Sequence, residues 1–281
     1  MAIQTHNYLL PMLCGTLDEL PQTPGWIMEP KLDGWRFLFG REDGDVFAYG
    51  GRNGAEYTHK PGVVPLREAF AKLLPPDTIV DAELVADGDG KISSDVASAL
   101  ARGGKLTAFV FDVVQLMGRD VRHLPYSDRR KLLERLFEGM DIESVRLNLS
   151  VPVDRELFES WLAVGLEGVV VKRTDSTYRS GKRSRDWMKL KPTKSIDCKI
   201  IELPRDGRGK FAGQVGSVVF DIGNGKRGRA SGMTDAVRMD MTVNPAKYIG
   251  RTAEFSYQLQ TRGGHLRHPQ WVRLRPDRDA A

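Results

Sequence analysis

Short runs in which hydrophobic and polar residues alternate make up most of the regular pattern in this chain. In one such run, Trp35, Phe37 and Phe39 alternate with Arg36 and Leu38, and a period of two is typical of a β-strand. Other runs rich in β-branched and aromatic residues predict further strands. They lie at residues 26–28, 46–49, 78–85, 108–114, 169–173 and 186–191.

Segments that end in proline or glycine predict helices between these strands. The segment 66–74 ends at Pro75-Pro76, and the segment 127–138 ends at Gly139; both residue types terminate helices. We expect Ser127 to cap the second of these helices. Two more helices are expected at 93–100 and 154–164, and loops at 11–13, 21–25 and 178–185, the last of them mobile.

The last 90 residues or so have a different pattern, with shorter strands and more glycine turns. Such strands in a small basic segment suit a Greek-key barrel of the OB type. A chain of 281 residues also favours two domains over one. We expect the boundary at Pro192-Thr193-Lys194, followed by strands at 198–203, 215–222, 253–260 and 271–274 and a helix at 234–241.

Composition excludes several classes of protein. The hydrophobic content of 41% is ample for a core, and no run of 18 apolar residues suggests a membrane span. The N-terminal residues lack the basic and apolar regions of a signal peptide. Cys14 and Cys198 are the only cysteines, so neither a disulfide framework nor a zinc set is expected. We therefore expect a cytoplasmic protein with no membrane partner.

Charge is distributed unevenly along the chain. Residues 1–171 contain 18 basic and 26 acidic side chains, residues 172–194 contain 9 and 2, and residues 195–281 contain 15 and 9. An acidic body followed by a basic segment and a basic tail indicates a polyanionic partner.

A reactive lysine is the chemistry that the segment Glu29 to Arg36 suggests. Lys31 is followed by Asp33-Gly34, and glycine allows a positive φ or the close approach of a ligand. An amine and a guanidinium near one bend suit a phosphorylated ligand, because the amine can attack while the guanidinium holds an anion. An ordinary hairpin turn is the alternative for this stretch alone.

Charged residues inside hydrophobic runs point to the same kind of site. Asp81, Glu83 and Asp112 lie in apolar strands, where a carboxylate is costly unless it is paired or binds a metal. Lys189 and Lys191 share one strand face, which is unfavourable unless an anion lies there.

Taken in order, these stretches resemble the nucleotidyltransferase motifs of ATP-dependent DNA ligases over nearly the whole chain. KLDGWR at 31–36 is similar to the active-site motif of that family. Gly51 and Arg278 depart from it, since the family usually has Ser or Thr and Lys at those positions. The other matching stretches are GGRNG at 50–54, DAELV at 81–85, FDVV at 111–114, EGVVVKR at 167–173, WMKLKP at 187–192 and WVRLRPD at 271–277.

The resemblance implies an α+β fold class. An adenylation (nucleotidyltransferase, ATP-grasp-like) domain of antiparallel sheets with helices would span residues 1–192, followed by an all-β OB-fold barrel at 193–281. Lys31 would attack the α-phosphorus of ATP and hold AMP, which then moves to the 5′-phosphate of nicked duplex DNA before the strand is sealed. We expect a minimal two-domain enzyme that acts as a monomer.

The resemblance also implies a role for each matching residue. The catalytic residue is Lys31, and Mg²⁺, or Mn²⁺ in its place, would bind Glu167 and Glu83. The adenosine would contact Glu29, Phe111, Arg36 and Glu83. The phosphates would contact Lys172, Lys189 and Lys191, with Arg183 or Arg185 as a helper. Arg52 would meet the nucleotide and the 5′-phosphate of the nick, and Arg275 and Asp277 would orient pyrophosphate.

Three other functions share parts of this pattern. An mRNA-capping guanylyltransferase has the same Lys-x-Asp-Gly bend and a following OB domain, and an RNA ligase is the next alternative. A catalytically silent nucleic-acid-binding relative is the third. The stretches EGVVVK and WMKLK favour ligation over capping. The presence of Lys31, Glu83, Glu167, Lys189 and Lys191 argues against the silent relative, and RNA ligase stays open.

Overall fold

The computed structural model describes residues 9–50, 54–87, 93–258, 260 and 263–279. The chain divides into two compact units, Met1–Lys191 and Pro192–Ala281. The first unit contains twelve strands and four helices among its described residues. Its strands are β1 (Leu13–Leu17), β2 (Trp26–Pro30), β3 (Trp35–Glu42), β4 (Asp45–Gly50), β5 (Ala55–Glu56), β6 (Thr78–Ala86), β7 (Leu106–Leu116), β8 (Arg119–Asp120), β9 (Val145–Leu147), β10 (Val151–Pro152), β11 (Val169–Arg173) and β12 (Arg183–Leu190); its helices are α1 (Val64–Leu73), α2 (Ser93–Arg102), α3 (Tyr126–Phe137) and α4 (Arg155–Ala163).

The largest sheet of the first unit has the order β5-β4-β3-β6-β7-β8, with β9 paired to β7. The alternation in β3 explains its two faces. Phe37 and Phe39 enter a core that α1 and α2 cover, and Phe39 stacks on Phe70 of α1 with 4.2 Å between ring centroids. Arg36 and Leu38 lie on the opposite face. One face of β3 therefore packs in the hydrophobic core, and the other carries the side chain of Arg36 towards the second sheet.

A second sheet, with the order β1-β12-β11-β2-β10, packs on that opposite face. Side chains from both sheets meet in one hydrophobic cluster, to which Leu38 and Ile79 contribute from the first sheet and Trp187 from the second. The two sheets therefore enclose a space between them, and the polar residues of β3, β6, β11 and β12 face into it.

Two loop predictions for the first unit extend too far, because residues 11–12 and 178–182 lie outside strands but the last residues of each predicted loop begin a strand. The expected loop at 11–13 runs into strand β1, which pairs in parallel with β12, Leu13 opposite Arg183 and Leu17 opposite Leu190. The expected mobile loop 178–185 has a buried Tyr178, and its last residues begin β12. Each strand supplies the other's hydrogen bonds across about 170 positions, so no local pattern reveals the pair.

The helix predictions differ from the structure mainly at one end. Helix α3 begins at Tyr126 after the cap residue Pro125, so the prediction that Ser127 caps it is wrong; the Ser127 amide instead donates to the Thr174 carbonyl. Helix α4 is confirmed, because the Asp154 carboxylate accepts a hydrogen bond of 2.7 Å from the Leu157 amide at its start.

The second unit is a five-stranded sheet with the order β15-β14-β13-β16-β17. Phe220 and Phe255 stack at 3.8 Å in its core. The prediction missed β15, because its sequence KRGRA is basic and its pairing with β14 alone makes it a strand. The elements are β13 (Lys194–Glu202), β14 (Val218–Gly223), β15 (Lys226–Ala230), α5 (Asp235–Val243), β16 (Thr252–Tyr257) and β17 (Gln270–Leu274). Among the described residues of either unit, no helix is both long and apolar enough to cross a membrane.

Candidate active site

A cavity of about 480 Å³ lies between the two sheets of the first unit. This volume is in the range of small-molecule and nucleotide sites. The cavity brings together nine of the residues that the sequence singled out, from strands that are far apart in the chain. They are Glu29, Lys31, Arg36, Glu83, Phe111, Lys172, Arg183, Lys189 and Lys191.

Strand β2 delivers Lys31 to this cavity at its carboxyl end. The Lys31 amide donates to the Gly168 carbonyl at 2.9 Å, which fixes the bend to the start of β11. Gly168 has φ +151°, and a Cβ there would lie 2.2 Å from the Leu190 carbonyl oxygen. Only glycine therefore lets β11 and β12 meet beside the lysine.

Position 34 requires glycine for a different reason from the one that the sequence suggested. Its φ is not positive, and the space that a Cβ would need is filled by the Leu84 carbonyl, 2.1 Å away. The glycine therefore accommodates the neighbouring strand β6, and it is the protein's own backbone that approaches it closely.

The Lys31 amine contacts a carboxylate shared with a second lysine. Glu167 Oε2 accepts a hydrogen bond from Lys31 and Glu167 Oε1 accepts one from Lys191. Lys189 also lines the cavity, and burial together with the charges of Lys191 and Lys31 lowers its pKa. We refer to Lys31, Glu167, Arg183, Lys189 and Lys191 as the Lys31 cluster; its excess of cations suits phosphate groups.

Glu83 faces the cavity from β6 without a hydrogen-bonding partner among the described residues. Burial raises its pKa to about 7, and the nearby charges of Lys31 and Arg36 only partly offset that effect. A half-buried carboxylate that titrates near neutral pH is a frequent feature of functional sites.

Arg36 holds an anion, as expected, but that anion belongs to the protein. Its Nε and Nη2 donate to Asp81 Oδ1 and Oδ2 at 2.8 and 2.5 Å, and Tyr178 donates to the same carboxylate at 2.6 Å. Asp81 raises the pKa of Arg36 well above its usual value despite the burial. The pairing confirms the expectation that an acid inside strand β6 is paired.

Glu29 lies at the buried end of the cavity, where it accepts two hydrogen bonds and forms one ion pair. Tyr126 Oη and Lys172 Nζ lie 2.5 and 2.7 Å from Oε1, and Asn148 Nδ2 lies 3.2 Å from Oε2. Phe111 completes the group, with Lys172 Nζ 4.6 Å from its ring centroid. We refer to Glu29, Phe111, Tyr126, Asn148 and Lys172 as the Glu29 cluster.

Lys172 therefore lies in a different place from the phosphate-binding position that the resemblance implies. Its side chain is 1% exposed, and its ammonium is also 4.2 Å from the Trp187 ring centroid and 4.8 Å from that of Tyr126. Surrounded by three aromatic rings and one carboxylate, it belongs to the Glu29 cluster and lies apart from the three lysines of the Lys31 cluster.

Sequence reasoning missed Tyr126, Asn148 and Tyr178. The predicted helix left Tyr126 outside its start, and Asn148 follows the short strand β9, which no pattern indicated. Their partners lie 97 and 119 positions away in the chain, so no local signal could have identified them. The buried acid Asp112 was noticed in the sequence, and it pairs with Arg129 at 2.8 Å with both side chains fully buried.

Other predicted residues lie elsewhere. Arg52 lies outside the described residues. Arg185 is exposed on β12, whereas Arg183 lines the cavity and donates to the Cys14 carbonyl. In the second unit, Arg275 pairs with Asp277 at 2.9 Å and with Asp197 at 3.2 Å.

The described residues contain no group of three or more His, Cys, Asp or Glu side chains that could hold a metal ion by itself. Glu83 and Glu167 supply two carboxylates near Lys31. Two carboxylates suit Mg²⁺ when substrate phosphates complete its coordination.

Comparison with known proteins agrees with this geometry. A family described as "ATP dependent DNA ligase domain" matches residues 11–191, and "DNA ligase OB-like domain" matches residues 206–275. The "Multifunctional non-homologous end joining protein LigD" of Pseudomonas aeruginosa is 32% identical over 98% of this chain, which spans only 36% of that protein.

Solved structures give the same result. A structure of "mycobacterial DNA ligase D complexed with ATP and MES" is 27% identical, with a TM-score of 0.59 over 97% of this chain and 96% of that one. A Lig E DNA ligase has the same fold at 20% identity, with a TM-score of 0.67 over 93% and 99% of the two chains. The α+β fold with an OB-type second unit is thereby confirmed, and the chain belongs to the ATP-dependent DNA ligase family.

Proposed function

We propose that this chain seals nicks in duplex DNA in an ATP-dependent reaction whose covalent intermediate is AMP on Lys31. The observation that carries the proposal is the cavity in which the Lys31 amine meets a carboxylate and two further lysines. Residues 1–192 would form the adenylation domain and residues 193–281 the OB domain.

The first step requires a neutral amine at Lys31. Its nitrogen attacks the α-phosphorus, an N–P bond forms, and the bond to the pyrophosphate oxygen breaks, so that pyrophosphate leaves with the electron pair. The Glu167 carboxylate already accepts a hydrogen bond from this amine and is placed to take the proton that the nitrogen loses. Lys189 and Lys191 neutralise the charge on the phosphates, which is the main requirement of phosphoryl transfer.

The chemistry of the two clusters indicates where each end of the nucleotide would bind. The Glu29 cluster combines an aromatic ring with buried hydrogen-bonding groups, which suits a base, and the Lys31 cluster suits the triphosphate. Lys172 then acts at the base, in place of the phosphate contact that the motif suggested. Arg36 and Glu83 lie on neighbouring strands, paired in register, and would contact the ribose.

Glu83 and Glu167 fit Mg²⁺ as the metal, with Mn²⁺ as an alternative of similar chemistry. Glu83 lines the cavity and has no competing partner among the described residues, whereas both oxygens of Glu167 accept hydrogen bonds from lysines that line it. When bound, the ion would neutralise phosphate charge and favour the departure of pyrophosphate.

The later steps involve DNA. AMP would move from Lys31 to the 5′-phosphate of the nick, with Arg52 as the contact to that phosphate, and the 3′-hydroxyl would then displace AMP. Arg275 and Asp277 would orient the pyrophosphate in the first step, and the basic charge of residues 172–281 would attract the duplex. We expect the enzyme to act as a cytoplasmic monomer.

Incubation with radiolabelled ATP or GTP, followed by a denaturing gel, tests the proposal. We expect labelling by ATP alone and its loss in Lys31→Ala; Lys131→Ala, which changes an exposed lysine on α3, is the matched control. Labelling by GTP would indicate a capping enzyme, and no labelling would indicate a silent binding relative. A nick-sealing assay that compares DNA strands with RNA-containing strands then separates a DNA ligase from an RNA ligase.

A further inference from the structure

Asn148 enters the cavity from a segment whose backbone is fixed on both sides. The backbone N–H of Asn148 donates to the Val110 carbonyl at 2.8 Å, and its backbone carbonyl accepts from Arg130 Nη1 at 2.8 Å. The residue is only 4% exposed, yet it lines the cavity. A polar side chain held this firmly at the buried end of a ligand cavity is placed for recognition.

The hydrogen bond to Glu29 fixes the orientation of the side-chain amide of Asn148. A carboxylate only accepts hydrogen bonds, so the group directed at Glu29 Oε2, 3.2 Å away, is Nδ2. A flipped amide would bring two oxygens together at that distance. Glu29 cannot turn away, because Tyr126 and Lys172 hold its other oxygen. The Asn148 oxygen, Oδ1, is therefore the group left for a ligand.

No donor in the described part of the chain reaches Oδ1 of Asn148. The buried side-chain atoms of the described residues that lack a partner do not include Asn148 Oδ1, so this oxygen is open to the cavity that the residue lines and can accept a hydrogen bond from an N–H or O–H group of a ligand. The neighbouring Glu29 Oε2 is a second acceptor. The buried end of the cavity thus presents two acceptors side by side.

Resting on the proposed binding of ATP in this cavity, we propose that Asn148 selects adenine over guanine by accepting a hydrogen bond from the 6-amino group of the base. That amino group has two hydrogens, one for Asn148 Oδ1 and one for Glu29 Oε2. Guanine carries a carbonyl oxygen at the same position. Three acceptors would then face one another without a hydrogen between them, and a site built to pair a polar group rejects a ligand that leaves it unpaired.

Two nucleotides that differ only at this position test the inference. Adenylylation is measured with ATP and with purine riboside triphosphate, which has hydrogen in place of the 6-amino group. In Asn148→Ala, we expect kcat/KM for ATP to fall about fivefold to tenfold, the usual effect of one neutral hydrogen bond. The value for the purine analogue should stay within about twofold. The preference for ATP over GTP should decrease by at least the same factor as the ATP value, because the variant also lacks the oxygen that faces the guanine carbonyl.

A second variant and a control keep a structural effect apart from recognition. Asn148→Leu fills the space without supplying an acceptor. It should show the same change in the ratio of kcat/KM for ATP to kcat/KM for the purine analogue, and it replaces the alanine variant if that variant folds poorly. Ser150→Ala is the control, because Ser150 lies 3.2 Å from the Tyr126 hydroxyl but does not line the cavity. Equal losses for ATP and the purine analogue, or an unchanged ATP value, would overturn the role of Asn148. Failure of the unmodified enzyme to label with ATP would instead overturn the proposed function.

Discussion

Replacing Glu83 by glutamine should stabilise the folded protein while abolishing its activity. Burial raises the pKa of Glu83 from its usual 4.5 to about 7, so the folded state resists ionisation of this group. Below pH 4.5 the Glu83 carboxyl is protonated in both the folded and the unfolded state and does not change the free energy of unfolding. As the pH rises from 4.5 to 7, the unfolded chain ionises first, and the free energy of unfolding falls. Above pH 7 both states are ionised and the penalty is constant.

The size of this effect follows from the shift. A difference of about 2.5 pKa units corresponds to ~3 kcal/mol. Glu83 is only partly buried and faces the cavity, so screening by solvent reduces the penalty to about 1–2 kcal/mol. Glutamine has the same shape and no charge. The variant should therefore match the parent protein near pH 4.5 and exceed its unfolding free energy by about 1–2 kcal/mol at pH 8.

Urea unfolding at pH 5, 6, 7 and 8, in EDTA and without nucleotide, measures the difference. Glu68→Gln changes an exposed carboxylate on α1 and serves as the control, for which we expect no comparable trend. Radiolabelled ATP measures the expected loss of enzyme–AMP formation in Glu83→Gln. A variant that is less stable than the parent at pH 8, or a difference that does not change between pH 5 and 8, would refute the reasoning.

Three further changes test other parts of the structure. Asp112→Ala leaves Arg129 buried without its partner and should lower the unfolding free energy by about 3–5 kcal/mol; a loss under 1 kcal/mol would contradict this. Arg275→Ala should block enzyme–AMP formation but largely spare sealing of a nick supplied already adenylated, and equal losses in both assays would remove its proposed role. Nick binding should weaken with salt at a log–log slope of about −4 to −5, given about five phosphate contacts, and a flat response would show that the basic segments do not face DNA.

Residues close together in the chain allowed most of the fold and the reactive bend to be predicted. The alternation in β3 identified its core face. The acids inside β6 and β7 were expected to be paired or to bind a metal; Asp81 and Asp112 are paired, whereas Glu83 has no partner among the described residues. The expectation holds for the first two because burying an unpaired carboxylate in an apolar strand costs free energy, wherever in the chain the partner lies.

What could not be predicted is which partner each group has. The motif that contains Lys172 suggested a phosphate contact, but three aromatic rings and Glu29 surround its ammonium in the fold. Strand β1 was not predicted, because its partner β12 is distant in sequence. Such pairings depend on how the two sheets pack together, and that information is spread over the whole chain.

The orientation that we propose for ATP in the cavity rests on the difference in charge between the Glu29 cluster and the Lys31 cluster. In the Glu29 cluster, the ammonium of Lys172 balances the carboxylate of Glu29 at 2.7 Å, so that end attracts no net charge and suits a neutral base. In the Lys31 cluster, four cationic side chains face one carboxylate, Glu167. A triphosphate entering in the reverse direction would leave those cations unpaired and bring its charges against Glu29, whose oxygens already have donors. The same asymmetry that would direct the phosphates towards Lys31 would therefore direct the base towards Asn148, so that the proposed choice of nucleotide takes place at the end of the cavity opposite to the chemistry.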